Sequence, residues 1–443
     1  MRAHSAAAAA WRNRIQQRPL VSSRELPMIP GRARTRFGTS RTTLAAVLLL
    51  VLAGGCSTPQ PEAAAPKPPK PITEFPVRPF PDAVVAAAEE LFNAVPAASL
   101  QEDHGRARAL AIDPLIDSVT GHQTVATRSM RSMIVDIVQT RYPRLTVQPF
   151  TTTTVGKSPL VLIGTLTAID QKGEAAAADR NSYRIWLTLL DLRSGTVVAK
   201  ARARARPGTV DASPTAQFRD SPAWSADPAV EAYVRTCHTT KLGDPIPPAY
   251  LDAILAAALV SDAVEAYDAG RYGDALDLYL SARDLPGGDQ LRVHNGIYLA
   301  NQKLGRQNEA VAAFDDLVDY GLEHHRLAVK FLFKPASTAF WPEPAVSGSY
   351  SLWLERIAAR AAGRSSCLEI TGHASRTGLE PLNERLSLLR AEYIKRRLEA
   401  EESALRNRMV ANGVGSREAL VGTGTDDAVD ALDRRVEFKT FSC

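Results

Sequence analysis

Metal-ligand spacing is missing from this chain. None of its four cysteines pairs with another at such a distance, and Cys237-His238 alone is neither a zinc nor a haem motif. Also missing is any set of nucleophile, base and oxyanion donors, which leaves no catalytic constellation to place. Val155-Gly156-Lys157-Ser158 has the tail of a phosphate-binding loop, but the first glycine is absent at the needed spacing and a strand, not a helix, follows. Asp113 and Asp117 flank Pro114 at a strand end. Turn chemistry accounts for such a pair, with acid–base work as the alternative. The apolar core from Leu44 to Leu52 is too short for an ordinary membrane-spanning helix. These absences imply a non-enzymatic protein that needs no cofactor and no metal.

What is present is ordinary globular material. The 443 residues are 45% hydrophobic and 23% charged, enough for two or three domains. The net charge of +5 is unevenly distributed. Residues 1–55 hold nine arginines and one acid, Glu25, a net of +8, so the remainder carries −3. A chain that loses this segment is mildly acidic, and its basic balance is no argument for a nucleic-acid partner.

The first 55 residues read as an export signal. Arginines up to Arg41 precede the apolar core, and Leu52-Ala53-Gly54-Gly55-Cys56 follows. This order resembles the lipobox of bacterial lipoproteins, where small residues precede the cut and the cysteine thiol accepts a diacylglyceryl group. The basic part is long, so Met28 is an alternative start to Met1. The resemblance implies lipidation at Cys56 and, with Ser57 rather than aspartate next, anchorage in the outer membrane facing the periplasm. Acyl chains contribute about 0.8 kcal/mol per buried methylene. Residues 56–80 then form a tether. Eight prolines between Ser57 and Phe80, with no apolar periodicity, cannot offset ordering entropy by burial.

Helix and strand patterns alternate after the tether. A helix is expected over Ala83–Asn93, a short strand over Leu110–Ile112 and a helix from Thr124 to Gln139. Strands are expected over Leu145–Phe150, Leu160–Ile169, Tyr183–Leu192 and Thr196–Ala203, the last two joined through Arg193-Ser194-Gly195. The sum is an α/β sandwich over 81–225, similar on topology to the periplasmic domain of LpoB-type activators, FlgO and CsgG lipoproteins. A connector packed through Phe218 and Trp224 runs to residue 248. Over 249–323, Gly270-Arg271-Tyr272-Gly273-Asp274-Ala275 recurs 35 residues on as Gly305-Arg306-Gln307-Asn308-Glu309-Ala310, with Tyr279 matched by Phe314. This resembles a pair of tetratricopeptide repeats, about five helices in all with Tyr250–Leu259. It implies either a groove for an envelope protein partner or a rigid spacer.

In the last segment, Leu368-Glu369-Ile370 alternates like a strand and stops at Gly372. A polar loop broken by Gly378 and Pro381 follows. Leu386, Leu389, Tyr393, Ile394 and Leu398 then recur at helical spacing, with Asn383 as a candidate N-cap and Arg390 near the edge of the apolar face. Leu327–Phe333, Leu420–Gly422 and Val436–Phe441 read as further strands and Tyr350–Ala362 as a helix. His324-His325 reads as a helix end. Gly372-His373, Asn383, Leu386-Ser387, Arg390-Ala391, Ile394 and Asp433-Arg434-Arg435-Val436-Glu437 resemble the OmpA-like peptidoglycan-binding domain over 327–443. That resemblance implies an OmpA-like α/β sandwich and peptidoglycan as partner, with Arg390 taking a carboxylate of diaminopimelate and Asn383, Ser375, His373 and Arg376 around it. Ser375 stands where the family carries aspartate, so the anion facing the ligand's ammonium group is absent from the loop. Wall binding and a fold that no longer binds wall are both open. Cys367 opens one terminal strand and Cys443 ends another, so a disulfide between them is expected, with Cys237 left free.

Two whole-protein readings follow: an outer-membrane lipoprotein that links membrane to wall, and an envelope assembly factor or regulator that binds a protein partner. Mass spectrometry of the mature protein is expected to find an acylated N-terminal Cys56. Protein that retains residues 1–55 would remove the basis for the location.

Overall fold

A computed structural model of the protein describes residues 74–101, 105–176, 179–224, 227–325, 327–334, 336–422 and 432–443. Cys56 and the tether up to residue 73 lie outside these. The fold is mixed α/β, built on two sheets with helices between and around them.

The first sheet has the order β1-β7-β6-β5-β2-β4, with β3 also paired to β5. Its strands are β1 (Val77–Arg78), β2 (Arg108–Ile112), β3 (Ile116–Asp117), β4 (Leu145–Gln148), β5 (Leu160–Ile169), β6 (Ser182–Asp191) and β7 (Thr196–Ala205). All ten residues of β5 are buried, because both faces of the sheet are covered there. On one face lie α1 (Phe80–Asn93) and α2 (Val125–Arg141). Helix α1 buries Ala83, Val84, Ala87, Ala88, Leu91 and Phe92, a stripe at helical spacing. Helix α2 opens on a capping box in which Thr124 and Thr127 satisfy each other's backbone N–H groups. On the other face lies α3 (Pro228–Thr239), inside the segment read from sequence as a connector. The Tyr233 hydroxyl accepts the Gly164 N–H at 2.8 Å and donates to the Pro114 carbonyl.

Next come two helix pairs, α4 (Pro248–Asp268) with α5 (Tyr272–Arg283), and α6 (Leu291–Lys303) with α7 (Gln307–Glu323). That is four helices where about five were expected, because the alanine-rich α4 runs unbroken through Leu259. Gly270 and Gly305 turn each pair with φ of +74° and +72°, and Tyr279 and Phe314 are fully buried.

The second sheet has the order β11-β10-β12-β9-β8. It comprises β8 (Ala223–Trp224), β9 (Leu327–Lys330), β10 (Cys367–Gly372), β11 (Met409–Gly413) and β12 (Arg435–Phe441), with α8 (Tyr350–Ala362) and α9 (Glu380–Glu401) packed on it. Strand β8 comes from the connector and pairs antiparallel with β9. One continuous core joins the helix pairs to this sheet; the first sheet has its own core with α1 and α2. Cys367 and Cys443 form a disulfide with Cα atoms 5.0 Å apart, and Cys237 is a buried free thiol.

The strand expected at Leu420–Gly422 is not one. The N–H groups of Leu420, Val421 and Gly422 instead converge on the Asp433 carboxylate at 2.6–2.9 Å, and β11 takes the place beside β10. Among the described residues, no helix is long and apolar enough to cross a membrane.

Asp113 is buried at the end of β2 and accepts the Tyr250 hydroxyl of α4 at 2.7 Å. Burial lifts its carboxyl to about 7, although Tyr250 and Arg292 act in the opposite direction. The folded state therefore holds this proton where the unfolded chain has lost it. The resulting stability is complete below about pH 4 and is lost as pH rises through 7. The buried His122, His238 and His373, pushed down to about 3, 4 and 2, act oppositely and cost stability as pH falls below 6.5. Comparison with Asp113→Asn separates the two effects. Wild type and variant are expected to melt together near pH 4, and wild type to fall a few degrees behind by pH 8. Parallel melting curves across that range would show that Asp113 does not titrate.

Candidate functional site

Strands β10 and β11 run side by side and press their C-terminal ends onto α9. A Cβ on Gly372 would lie 2.1 Å from the Ser387 carbonyl oxygen, and one on Gly413 would lie 2.4 Å from the Leu388 nitrogen. Only glycine on the strands and small residues on the helix permit this approach. The buried face of α9 is accordingly Asn383, Ser387, Arg390, Ala391, Ile394 and Leu398. Of the apolar stripe inferred from spacing, Ile394 and Leu398 are fully buried and Tyr393 packs on the core, whereas Leu386 is half-buried and Leu389 is 38% exposed. Helix α9 also starts four residues earlier than inferred, since Pro381 is tolerated in a first turn. Asn383 therefore lies inside the helix and is not its N-cap; its buried Nδ2 makes no hydrogen bond.

The loop after β10 is held from both sides. The His373 N–H donates to the Arg435 carbonyl at 3.0 Å and the Ala374 N–H to the Gly415 carbonyl at 2.8 Å. Gly415 N–H in turn donates to Ser387 Oγ at 2.9 Å, and Ser416 N–H to the Glu380 carboxylate at 3.0 Å. His373 is buried, with Glu418 and Glu437 at 3.8 and 3.6 Å but no hydrogen bond to either ring nitrogen. Burial first, and the charge of Arg435 second, push its pKa down to about 2, so the ring is neutral at any ordinary pH. Ser375 is buried and its hydroxyl lies 3.2 Å from that of Thr377.

Arg390 is 3% exposed. Its Nε donates to the Ser337 carbonyl at 3.2 Å and its Nη2 to the Lys334 carbonyl at 3.3 Å, while the guanidinium lies 4.8 Å from the Phe333 ring centroid. These contacts hold the guanidinium plane in one orientation. Arg376 turns outward and pairs with Asp179 at 3.1 Å, and Arg180 Nη2 donates to the Val421 carbonyl at 2.7 Å. His373, Ser375 and Arg376 thus share the loop after β10, while Asn383 and Arg390 lie on the buried face of α9. Sequence reading missed Phe333, the carbonyls of Lys334 and Ser337, Asp179 and Arg180. Asp179 lies 197 residues from Arg376, and no local pattern announces the pair.

Among the described residues, no group of three or more His, Cys, Asp or Glu could hold a metal ion.

Solved structures similar to this chain include the periplasmic domain of Helicobacter pylori MotB, at 17% identity and a TM-score of 0.23, over 26% of this chain and 75% of that one. Others are the peptidoglycan-associated lipoprotein from Burkholderia pseudomallei, at 23% identity and 0.22, over 26% and 89%, and the cell wall anchor of the T6SS from Pseudomonas aeruginosa, at 24% identity and 0.22, over 27% and 81%. The similarity falls on the C-terminal quarter of the chain. No protein-family model and no curated protein matches the chain.

The packing at Gly372 can be checked directly. Gly372→Ala is expected to cost about 1–3 kcal/mol in urea unfolding, as overpacking does. Gly273→Ala in α5, where an added Cβ meets nothing within 4 Å, is expected to add about 0.5–1 kcal/mol through helix propensity. Equal effects of the two would refute the tight strand–helix contact.

Proposed function

We propose that the protein binds peptidoglycan non-covalently through the domain of residues 327–443 and, anchored by acylated Cys56, links the outer membrane to the cell wall. The observation that carries this reading is Arg390, buried on α9 with its guanidinium held by the Lys334 and Ser337 carbonyls and the Phe333 ring. A cation so placed suits a carboxylate of the wall peptide, with Asn383, whose amide donor has no partner, and the 373–378 loop as further contacts. On this reading the helix pairs serve as a brace, since they share one core with the second sheet. No catalytic step is assigned to the protein.

The test is sedimentation with purified sacculi. Charge-assisted hydrogen bonds contribute roughly 1.5–3 kcal/mol each, about ten- to a hundredfold in affinity. Arg390→Ala is expected to abolish pelleting and Ser375→Asp, which restores an anion to the loop, to strengthen it. Thermal melts of both variants separate lost binding from lost folding. Unchanged pelleting of a folded Arg390→Ala protein would reject the proposal. Loss of an envelope protein partner in place of loss of wall would favour an assembly factor.

A further inference from the structure

Helix α6, the connector, β9 and the start of α8 leave a cleft of about 340 Å³ where they meet. Val329 and Phe331 belong to the core, and the alternate residues Lys330 and Leu332 line the cleft. Leu299 of α6, Val346 and Trp353 of α8 give it an apolar wall. Lys303 at the end of α6 and Arg219 of the connector, both exposed, complete its polar side with Asp220.

One carboxylate serves the three cations that line this cleft. The Asp220 carboxylate accepts the Tyr267 hydroxyl at 2.9 Å, while Arg219 Nε and Lys303 Nζ stand 3.3 and 3.5 Å from it. Those two distances are long for charge-assisted hydrogen bonds. Among the described residues, Lys330 hydrogen-bonds to neutral acceptors only. Its ammonium donates to the Phe218 and Arg219 carbonyls at 3.1 and 2.9 Å, and one N–H is left over. Desolvation lowers its pKa to about 8, against partial support from Asp220. Two residues on, the Leu332 N–H donates to the hydroxyl of the buried Tyr350 at 3.0 Å. That bond uses the phenol oxygen as acceptor and leaves its proton to donate. The cleft therefore pairs an apolar wall with two enclosed donors, one charged and one neutral.

We propose that this cleft binds a small molecule carrying one carboxylate on a compact apolar body. The carboxylate takes the spare Lys330 N–H and the Tyr350 O–H, with Lys303 adding charge from the exposed side. The apolar body lies against Leu299, Val346 and Trp353. About 340 Å³ stands at the low end of the range for small-molecule sites, which suits a compact ligand. None of these residues belongs to α9 or to the 373–378 loop, so the inference does not rest on wall binding.

Calorimetric titration of the full chain with N-acetyl-leucine and N-acetyl-phenylalanine, each beside its uncharged carboxamide, is the test. The acids are expected to bind, and the amides to bind at least tenfold more weakly. Lys330→Met is expected to weaken binding of the acids tenfold or more, Lys303→Gln by less. Val346→Trp, which fills the cleft, is expected to abolish it, with melting curves confirming each fold. A bound carboxylate favours protonated Lys330, so affinity in the parent chain is expected to fall severalfold as pH rises from 7 to 9. Failure of both acids to bind, or equal binding of acid and amide, would overturn the proposal. So would level affinity from pH 7 to 9, or undiminished binding by a folded Lys330→Met or Val346→Trp protein.

Discussion

The segment from Gln217 to Asp227 holds the molecule together, and it does so because buried backbone must be satisfied. It contributes β8 to the second sheet, pairing Ala223 and Trp224 with Val329 and Ala328. On its other side the Ala223 N–H and carbonyl are matched reciprocally by the Asn295 side chain of α6. The Trp224 indole N–H reaches the Thr120 carbonyl of the first sheet's loop at 2.8 Å, and Asp227 caps α3 while accepting the Leu291 N–H that begins α6. Lys330 donates to the carbonyls of Phe218 and Arg219 and, half-buried there, has its pKa lowered to about 8 by desolvation. Both sheets and the helix pairs each satisfy part of one short segment, so the parts cannot separate without leaving buried polar groups unpaired.

The candidate site inherits its precision from this arrangement and from the close strand–helix contact behind it. Gly372 and Gly413 bring two strand ends onto Ser387 and Ala391, which sets the rotation of α9. That rotation buries Asn383 and Arg390 in the first half of the helix and leaves Leu382, Leu388 and Leu389 exposed there, the reverse of what hydrophobicity alone favours, while Ile394 and Leu398 are buried further on. The cost of burying polar side chains is offset at Arg390 by two carbonyls and a ring, whereas the amide donor of Asn383 is left open.

Much of the fold was legible wherever one local rule governs. Helix α8 spans the very residues that periodicity indicated, Tyr350–Ala362, and β5 was marked by its unbroken apolar run. Errors arose where a distant partner decides the outcome. Leu420–Gly422 has strand-like composition, but the Asp433 carboxylate captures its N–H groups before a ladder can. Met409–Gly413 carries little strand signal and pairs because β10 offers an open edge. The early start of α9 was concealed by Pro381, which reads as a breaker but occupies a first turn. The site residues were legible as a spaced set; their surroundings were not, because Phe333, Asp179 and Arg180 arrive from 57 to more than 200 residues away.

The contacts around the β10–α9 loop also differ in kind, which bears on how firmly the loop is placed. The Arg376–Asp179 pair joins side chains 37% and 79% exposed; such pairs contribute roughly 0–1 kcal/mol and weaken with salt. The Arg180 bond to the Val421 carbonyl and the Trp224 bond to the Thr120 carbonyl involve half-buried groups and neutral acceptors. They are screened far less. The orientation of the first sheet's loop against the site is therefore fixed mainly by hydrogen bonds to backbone carbonyls, and the ion pair is the adjustable part.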